Sequence, residues 1–233
     1  MRPARTEVAP AGHPAPAGDA LVSLSHTASW EQARGECYRL LAACFYMPER
    51  DLWLAERVLE NLRAFLTQIC PTAVEHCHQM LEGLSGSSAE DLAVEYTRLF
   101  VGPYGVVAPP YGSVYLHEGR RVMGDSTLAV LDIYRRAGLS LDPDFKELPD
   151  HIAAELEFVY YLTNKAAGAA AAGQSGIADE ALQTREMFLG RFLNRWVPGF
   201  CARLREGTEH PFYRGLAECL AAFIAEAPPA EAR

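Results

Sequence analysis

Apolar residues recur every three or four positions along almost the whole chain, and strict alternation of apolar and polar residues is nearly absent. The first spacing is that of an α-helix with one buried face, whereas alternation would indicate a half-buried strand. The pattern predicts an all-α, multi-helix globular bundle of about eight to ten helices between residues 25 and 226. The main apolar stripes cover residues 30–45, 52–69, 74–84, 92–100, 128–137, 152–163, 182–196 and 212–223.

Residues that start or stop a helix set the predicted boundaries. Prolines at positions 48, 71 and 198 are expected to end the preceding helices, because proline lacks an amide hydrogen and crowds the turn before it. Ser88 and Asp91 have the spacing of a capping box. Ser126 or Thr127 is expected to cap a helix that Gly138 ends. The alanine- and glycine-rich residues 168–176 are interpreted as a loop.

The same features divide the chain into consecutive parts. Residues 1–24, rich in proline and alanine, are predicted to form a disordered tail, and residues 227–233 a second tail. Between them we expect an N-terminal helical part at 25–141 and a C-terminal helical part at 152–226. Two segments interrupt the helical pattern: a loop rich in proline, glycine and tyrosine at 102–115 and an acidic joint at 142–151.

Composition and charge argue against several classes of protein. The 21 basic and 30 acidic residues give a formal net charge of −9, opposite in sign to the basic patch of a nucleic-acid-binding protein. The charge is equally unsuited to a surface that binds anionic lipid. No apolar run reaches the 18 or so residues that a membrane helix needs. The N-terminal segment lacks the apolar region of a secretory signal, so we expect a cytoplasmic protein without membrane insertion.

The six cysteines lie within apolar helical stripes. In a reducing cytoplasm, cysteines at such positions are expected to be buried thiols. Cys70, His76, Cys77 and His78 are potential metal ligands, but neighbouring positions of a helix point in different directions, and no second pair has zinc-site spacing. We therefore expect neither a metal nor another cofactor.

The acidic joint and the residues after it are the most highly charged part of the chain. A cleft lined by such a segment would attract a cationic partner. Residues 141–157 carry six acids minus one base, a net charge of −5, from Lys146 against Asp142, Asp144, Glu147, Asp150, Glu155 and Glu157.

Asp150, His151 and Glu155 allow more than one interpretation. Asp150 follows Pro149 and has the residue type of an N-cap for the next helix, whose positive end acids would complement. His151 and Glu155 are four residues apart and share a helix face. They therefore also fit a metal site, or the acid/base pair of a small helical enzyme in which Asp150 or Glu155 accompanies His151. The common nucleotide-binding, hydrolase and metalloprotease motifs do not occur in the sequence.

Three segments, in order, resemble one protein family: the TorD/DmsD-type chaperones, related to NarJ-type proteins, which mature molybdenum enzymes. The resemblance covers about residues 28–226. The segments are Glu95-Tyr96-x-x-Leu99-Phe100-x-Gly102-Pro103, Pro109-Pro110-Tyr111-x-Ser113-Val114-Tyr115 and Glu147-Leu148-Pro149-Asp150-His151-Ile152-x-x-Glu155-Leu156-Glu157-Phe158.

The resemblance implies an all-helical fold of two parts, no catalysis, and in some relatives dimers that exchange those parts. It implies binding of the twin-arginine leader, or apo-form, of a molybdopterin oxidoreductase catalytic subunit. The chaperone would assist cofactor insertion and restrain premature export. The client stays open among several reductases, including those for dimethyl sulfoxide, trimethylamine N-oxide and nitrate, and several dehydrogenases. GTP or the molybdenum cofactor has been suggested to bind some relatives, but no nucleotide motif here supports that.

The resemblance assigns leader binding to Asp150 and His151, and we expect both side chains to be partly exposed. A twin-arginine leader is cationic and then apolar, so a receptor should offer carboxylates beside an apolar or aromatic groove. The family more commonly has Glu at the position of Gly112. The predicted client-binding residues are Asp150, His151, Glu147, Tyr111, Ser113, Tyr115 and Glu155.

Overall fold

The computed structural model describes residues 26–102, 105–117 and 122–226. The tails predicted at 1–24 and 227–233 lie outside these residues, as do positions 103 and 104 of the predicted loop. The all-α prediction is confirmed: within the described residues, β-type pairing is limited to one isolated antiparallel bridge between Tyr111 and His151. No helix in this part of the chain combines the length and apolarity needed to cross a lipid bilayer.

The described residues form eleven α-helices. Their bounds are α1 His26–Ala43, α2 Arg50–Ala55, α3 Val58–Ile69, α4 Val74–Gly86, α5 Ala89–Tyr96, α6 Gly112–Leu116, α7 Asp125–Arg136, α8 Ile152–Ala171, α9 Ser175–Phe188, α10 Asn194–Gly207 and α11 Pro211–Ala225. A short 3-10 helix, Pro71–Ala73, precedes α4, and a π-helical turn, Thr97–Val101, extends α5. A second π-helical turn, Leu189–Leu193, joins α9 to α10 without a break.

Helix α8 lies at the centre of the fold. Its buried side chains extend from Ile152 to Ala169, and it packs against both α1 and α9. Helix α11 packs against α4 and α10. One cluster of buried apolar side chains includes residues from both predicted helical parts, and burial of this surface is the main driving force for folding.

Helices α4 and α11 approach each other closely because each has a glycine at their contact. A Cβ atom added at Gly83 would lie 2.3 Å from the backbone nitrogen of Phe212. A Cβ added at Gly215 would lie 2.8 Å from the carbonyl oxygen of His76. Both distances are far inside van der Waals contact, so this helix packing requires glycine at both positions.

Two predicted helix boundaries are confirmed. Ser88 and Asp91 form the capping box of α5: Ser88 Oγ accepts from the Asp91 N–H at 3.0 Å, and Asp91 Oδ2 accepts from the Ser88 N–H at 3.1 Å. Gly138 follows α7 with φ of +84°, the left-handed conformation that glycine adopts readily after a helix.

Three other boundaries differ from the predictions. The stripe at 52–69 is two helices, because Arg57 adopts a left-handed conformation (φ 52°) between α2 and α3. Pro198 lies inside α10 instead of ending a helix. The π-helical turn just before α10 already departs from regular α-helical hydrogen bonding, which makes this a suitable place for a proline. Residues 168–171 continue α8, since alanine favours helix and Ala169 is still buried.

The start of α7 also differs from the prediction. Its N-cap is Gly124, and Ser126 and Thr127 lie in its first turn, so neither caps the helix. The N–H and the hydroxyl of Ser126 instead contact Nε2 of His117, at 3.2 and 2.9 Å. The imidazole thereby satisfies an amide at the helix start that has no partner within the helix.

Candidate functional site

The two segments that carry the strongest resemblance lie side by side. The Gly112 N–H donates to the Asp150 carbonyl at 2.9 Å, and the Ile152 N–H donates to the Pro110 carbonyl at 2.9 Å. These bonds flank the bridge between Tyr111 and His151. The predicted loop and the end of the acidic joint are therefore fixed to each other at the start of α8.

Asp150 caps α6, a helix other than the one predicted. Its Oδ2 accepts from the Ser113 N–H at 2.7 Å, in the first turn of α6. The prediction that Asp150 is the N-cap of the following helix is wrong, because that position is held by His151. The prediction of partial exposure is also wrong: Asp150 is 1% exposed and His151 2%. The Asp150 carboxylate therefore accepts a hydrogen bond from the segment on the other side of the bridge, and this bond holds the loop in place.

His151 is a neutral, enclosed cap. Its Nδ1 accepts from the Ala153 N–H at 3.2 Å, and its ring meets the rings of Tyr111 and Phe145 with centroids 5.5 and 6.1 Å apart. Burial lowers the pKa of His151 to about 3. This imidazole stays uncharged at neutral pH and its Nδ1 is already engaged, so the geometry gives the acid/base interpretation no support.

Glu155 is completely buried and holds α10 against α8. Its Oε2 accepts from Trp196 Nε1 at 2.9 Å, and the Trp196 ring stacks on Tyr115 with centroids 5.7 Å apart. Burial raises the pKa of Glu155 well above its ordinary value, and the nearby Asp150 raises it further. Glu155 is thus a structural group inside the site and is not exposed to a client.

Gly112 lies against this buried pair. A Cβ added there would be 3.1 Å from Trp196 Nε1 and 3.3 Å from Glu155 Oε1, so a larger residue would push on both. Ser113 Oγ, Asp150 Oδ1 and Glu155 Oε1 are buried and have no hydrogen-bond partner among the described residues. Burying a polar atom without a hydrogen-bond partner costs free energy. The protein nevertheless keeps three such atoms in this site.

The burial of Glu155 leads to a prediction about pH. Its folded-state pKa lies above the unfolded value, so its contribution to stability is full at low pH and declines as pH rises above about 4.5. Glu155→Gln keeps an acceptor for Trp196 and cannot ionise. We expect this variant to become progressively more stable than wild type as pH increases from 5 to 9 in chemical denaturation.

The alanine variant is the control for the Glu155 prediction. Like the glutamine variant, Glu155→Ala cannot ionise, but it leaves the Trp196 N–H without an acceptor and should be about 1–3 kcal/mol less stable than Glu155→Gln at every pH. A constant difference between Glu155→Gln and wild type across the pH range would contradict the prediction.

The outer face of the site carries the exposed acids. The Tyr111 hydroxyl donates to Glu147, which is exposed on the joint. Asp142 and Asp144 lie on the same joint, and Lys146 comes within 3.9 Å of Asp144. Of the six acids counted in 141–157, Asp150 and Glu155 are buried, so the charge presented to a partner is smaller than the sequence suggests.

An aromatic pocket adjoins the exposed acids between α7, α8 and the joint. Its cavity volume is about 20 Å³, and it is lined by Tyr46, Tyr134, Leu139, Ser140, Leu141, Asp142, Phe145, Ala154, Glu157 and Phe158. The predictions missed Tyr46 and Phe145 here, and Trp196 behind the loop. Trp196 was recognisable only as a core position of its stripe. Glu157 belongs to the third resembling segment but was not singled out.

The cysteines and the histidines near them are not among the side chains that line the pocket. All six cysteines are free and buried, so the prediction of buried thiols is confirmed. Burial raises the pKa of Cys77 to about 12. His76 pairs with Glu218 at 3.0 Å and His78 lies 3.5 Å from Glu82. Among the described residues, no group of three or more His, Cys, Asp or Glu side chains has the arrangement of a metal site.

Comparison with known proteins points to one kind of relative. The family model of the nitrate reductase delta subunit matches residues 56–202. The Tat proofreading chaperone DmsD of Salmonella typhi is 29% identical over 180 residues, covering 77% of this chain and 81% of that protein. The chaperone protein TorD of Vibrio cholerae is 25% identical over 200 residues, covering 83% and 89%. A solved redox enzyme maturation protein of Archaeoglobus fulgidus shares the fold, with a TM-score of 0.52 at 23% identity over 90% of this chain and 100% of its own.

Proposed function

The chain belongs to the nitrate reductase delta subunit family, and from that membership we propose that it is a cytoplasmic, system-specific maturation chaperone for a molybdenum oxidoreductase. Its partner would be the apo-form of the catalytic subunit, recognised through a twin-arginine leader. Holding that subunit would allow the molybdopterin cofactor to be inserted before export. Relatives named DmsD and TorD are chaperones, which supports a binding protein over an enzyme.

The observation that carries the proposal is the bridge between Tyr111 and His151. It joins the loop and the joint, the two segments with the most specific resemblance, into one surface. That surface offers exposed carboxylates beside an aromatic pocket. A leader that is first cationic and then apolar requires these two chemistries next to each other.

The predicted site residues divide into two roles in this proposal. Glu147 and the neighbouring surface acids would contact the arginines directly, because arginine pairs with carboxylates through charge-assisted, often bidentate hydrogen bonds. The buried residues would act as positioning residues that hold the loop in its binding shape. These are Asp150, His151 and Glu155, with Ser113 and Tyr115 of α6 and Tyr111 at the boundary.

Affinity purification from the native host tests the partner. The tagged chain should retain one large molybdenum oxidoreductase subunit, identified by mass spectrometry, and should retain it less when that subunit lacks its leader. The same preparation reports the oligomeric state, where a homodimer formed by exchange of helical parts stays a prediction. Recovery of no oxidoreductase subunit would contradict the proposal.

Salt dependence separates the charged and apolar parts of leader binding. We expect a synthetic peptide with two adjacent arginines followed by an apolar segment, the leader peptide, to associate about tenfold more slowly at high salt. The Debye length falls from about 10 Å at 0.1 M salt to about 3 Å at 1 M, which screens the joint. Replacing both arginines by lysine should weaken binding, since lysine cannot form a bidentate pair.

A triple variant shows which acids attract the leader peptide. Asp142→Ala, Asp144→Ala and Glu147→Ala together should remove most of the salt dependence. The matched control removes three exposed acids elsewhere, Glu75, Asp179 and Glu180, and should keep it. Stopped-flow association at two salt concentrations makes the comparison. If the joint variant kept the full salt dependence, its acids would be an ordinary solvated surface.

A further inference from the structure

We infer that the aromatic pocket beside the joint is a receptor for a single guanidinium group, with Glu157 as its carboxylate and the rings of Tyr46 and Phe145 as its walls. The inference rests on the proposed function, because the guanidinium would be that of one leader arginine. It goes further than the proposed function, in which the arginines contact only the exposed acids, by placing one arginine inside the pocket.

The first argument is the geometry around Glu157. Its Oε1 accepts from the Tyr46 hydroxyl at 2.8 Å, so the carboxyl group is held in a fixed position at the pocket wall. The Tyr46 and Phe145 rings meet edge to face with centroids 6.3 Å apart. Phe158 and Tyr134 complete the aromatic lining. A flat cation entering here would meet aromatic rings and a carboxylate, the groups with which a guanidinium pairs.

The second argument is that Glu157 has no cation of its own. None of the described basic side chains lies within 4.0 Å of the carboxylate oxygens of Glu157. Most ion pairs among the described residues lie at the protein surface instead. A partly buried carboxylate without a counter-charge is unfavourable. Burial accordingly raises the pKa of Glu157 to about 7. A guanidinium would supply the missing positive charge.

The third argument concerns access to the pocket. The Phe145 N–H donates to the Asp142 carbonyl at 3.0 Å, and the Asp144 N–H donates to Asp142 Oδ1 at 2.7 Å. These bonds are local to the joint, so Phe145 can move with its turn without breaking a helix. Asp142 also lines the pocket, and its carboxylate would attract the approaching cation.

Binding of a cation in this pocket should depend on pH. The ionised form of Glu157 is the form that pairs, so affinity should increase as pH rises through about 7. The other titratable groups facing the pocket are Tyr46, Tyr134 and Asp142. Burial raises the pKa of both tyrosines, which remain neutral. His151, near Phe145, remains neutral above a pKa of about 3, so Glu157 is the group expected to titrate.

Calorimetry with the leader peptide and matched variants tests the inference. Glu157→Gln keeps an acceptor for Tyr46 but not the charge, and should bind the peptide about ten- to a hundredfold more weakly at pH 8, as for loss of a charge-assisted hydrogen bond. It should also lose the pH dependence. Glu75→Gln, at an exposed acid of α4 outside the joint, is the matched control and should change affinity less than threefold. A peptide with citrulline in place of both arginines should bind Glu157→Gln and wild type equally.

The outcomes separate this inference from the proposed function. If wild type binds the leader peptide and Glu157→Gln binds it equally well with the same pH dependence, the pocket assignment is wrong and leader binding stands. If wild type does not bind the leader peptide, both fail. Thermal melting at pH 8 checks that the variant is folded. Glu157→Gln removes an unfavourable, partly buried charge, so its melting temperature should be no lower than that of wild type. Phe145→Ala provides a second variant and should weaken binding of the arginine peptide more than that of the citrulline peptide.

Discussion

Trp196→Ala is expected to lower the free energy of unfolding by about 3–5 kcal/mol, the range for truncating a buried aromatic side chain. Trp196 is the largest fully buried side chain. Its loss would also leave Glu155 without its donor and Tyr115 without its stacking partner. Because both neighbours support the loop, we expect the affinity for the leader peptide to fall about tenfold or more as preorganisation is lost. Urea denaturation and calorimetry measure the two effects.

Trp53→Ala is the matched control for this prediction. Trp53 is also buried but stacks on Phe212, away from the loop and the joint. Its truncation should cost comparable stability while leaving the affinity of the folded fraction nearly unchanged. Equal losses of affinity in the two variants would mean that the effect of Trp196 comes from general destabilisation. Trp196→Phe, which keeps a ring but not the N–H, separates the stacking from the hydrogen bond.

Asp150→Ala should have the second large effect, and a larger one than loss of an ordinary cap. The variant removes a charged acceptor from the Ser113 N–H, a contact worth about 1.5–3 kcal/mol. A domain of ordinary stability survives that loss. The loop would lose its fixed position against α8, so binding of the leader peptide should weaken about tenfold or more. Hydrogen exchange should increase most at Gly112 and Ser113.

The exposed acid of the same joint provides the comparison for Asp150. Asp144→Ala removes an equal charge from a fully solvated position and should change stability by less than about 0.5 kcal/mol. His151→Ala removes the cap of α8, with a loss of about 0.5–2 kcal/mol. Unchanged peptide affinity in a folded Asp150→Ala variant would exclude a positioning role for this residue.

Local sequence was sufficient to predict most of the helices. The stripes locate α1, α4, α8 and α11 because an amphipathic helix must repeat its apolar face, and the repeat can be read directly. The errors occur where local signals compete with packing. Pro198 lies within a helix because the packing of α10 overrides its local preference. The alanine-rich residues 168–171 remain helical because alanine itself favours helix and Ala169 is still buried.

The candidate site was only partly predictable, for a different physical reason. The resemblance identified the segments that the bridge brings together, but no local pattern indicates that Asp150 is buried and caps a helix that begins 38 residues earlier in the sequence, at Gly112. A polar string after proline normally indicates a solvated turn. The contact of Glu155 with Trp196 and that of Glu157 with Tyr46 are likewise long-range pairs. Such pairs depend on helix packing, which periodicity alone does not specify.

The bridge between Tyr111 and His151 also determines when during its own synthesis the protein becomes competent. Its two residues are separated by 40 positions in the chain (111 to 151), with all of α7 between them. Closing a loop of that length costs entropy, which is offset only once α8 has docked on the core. A nascent chain that has emerged only as far as α7 therefore has no assembled receptor surface. A receptor surface for the proposed client would therefore form only with the completed fold.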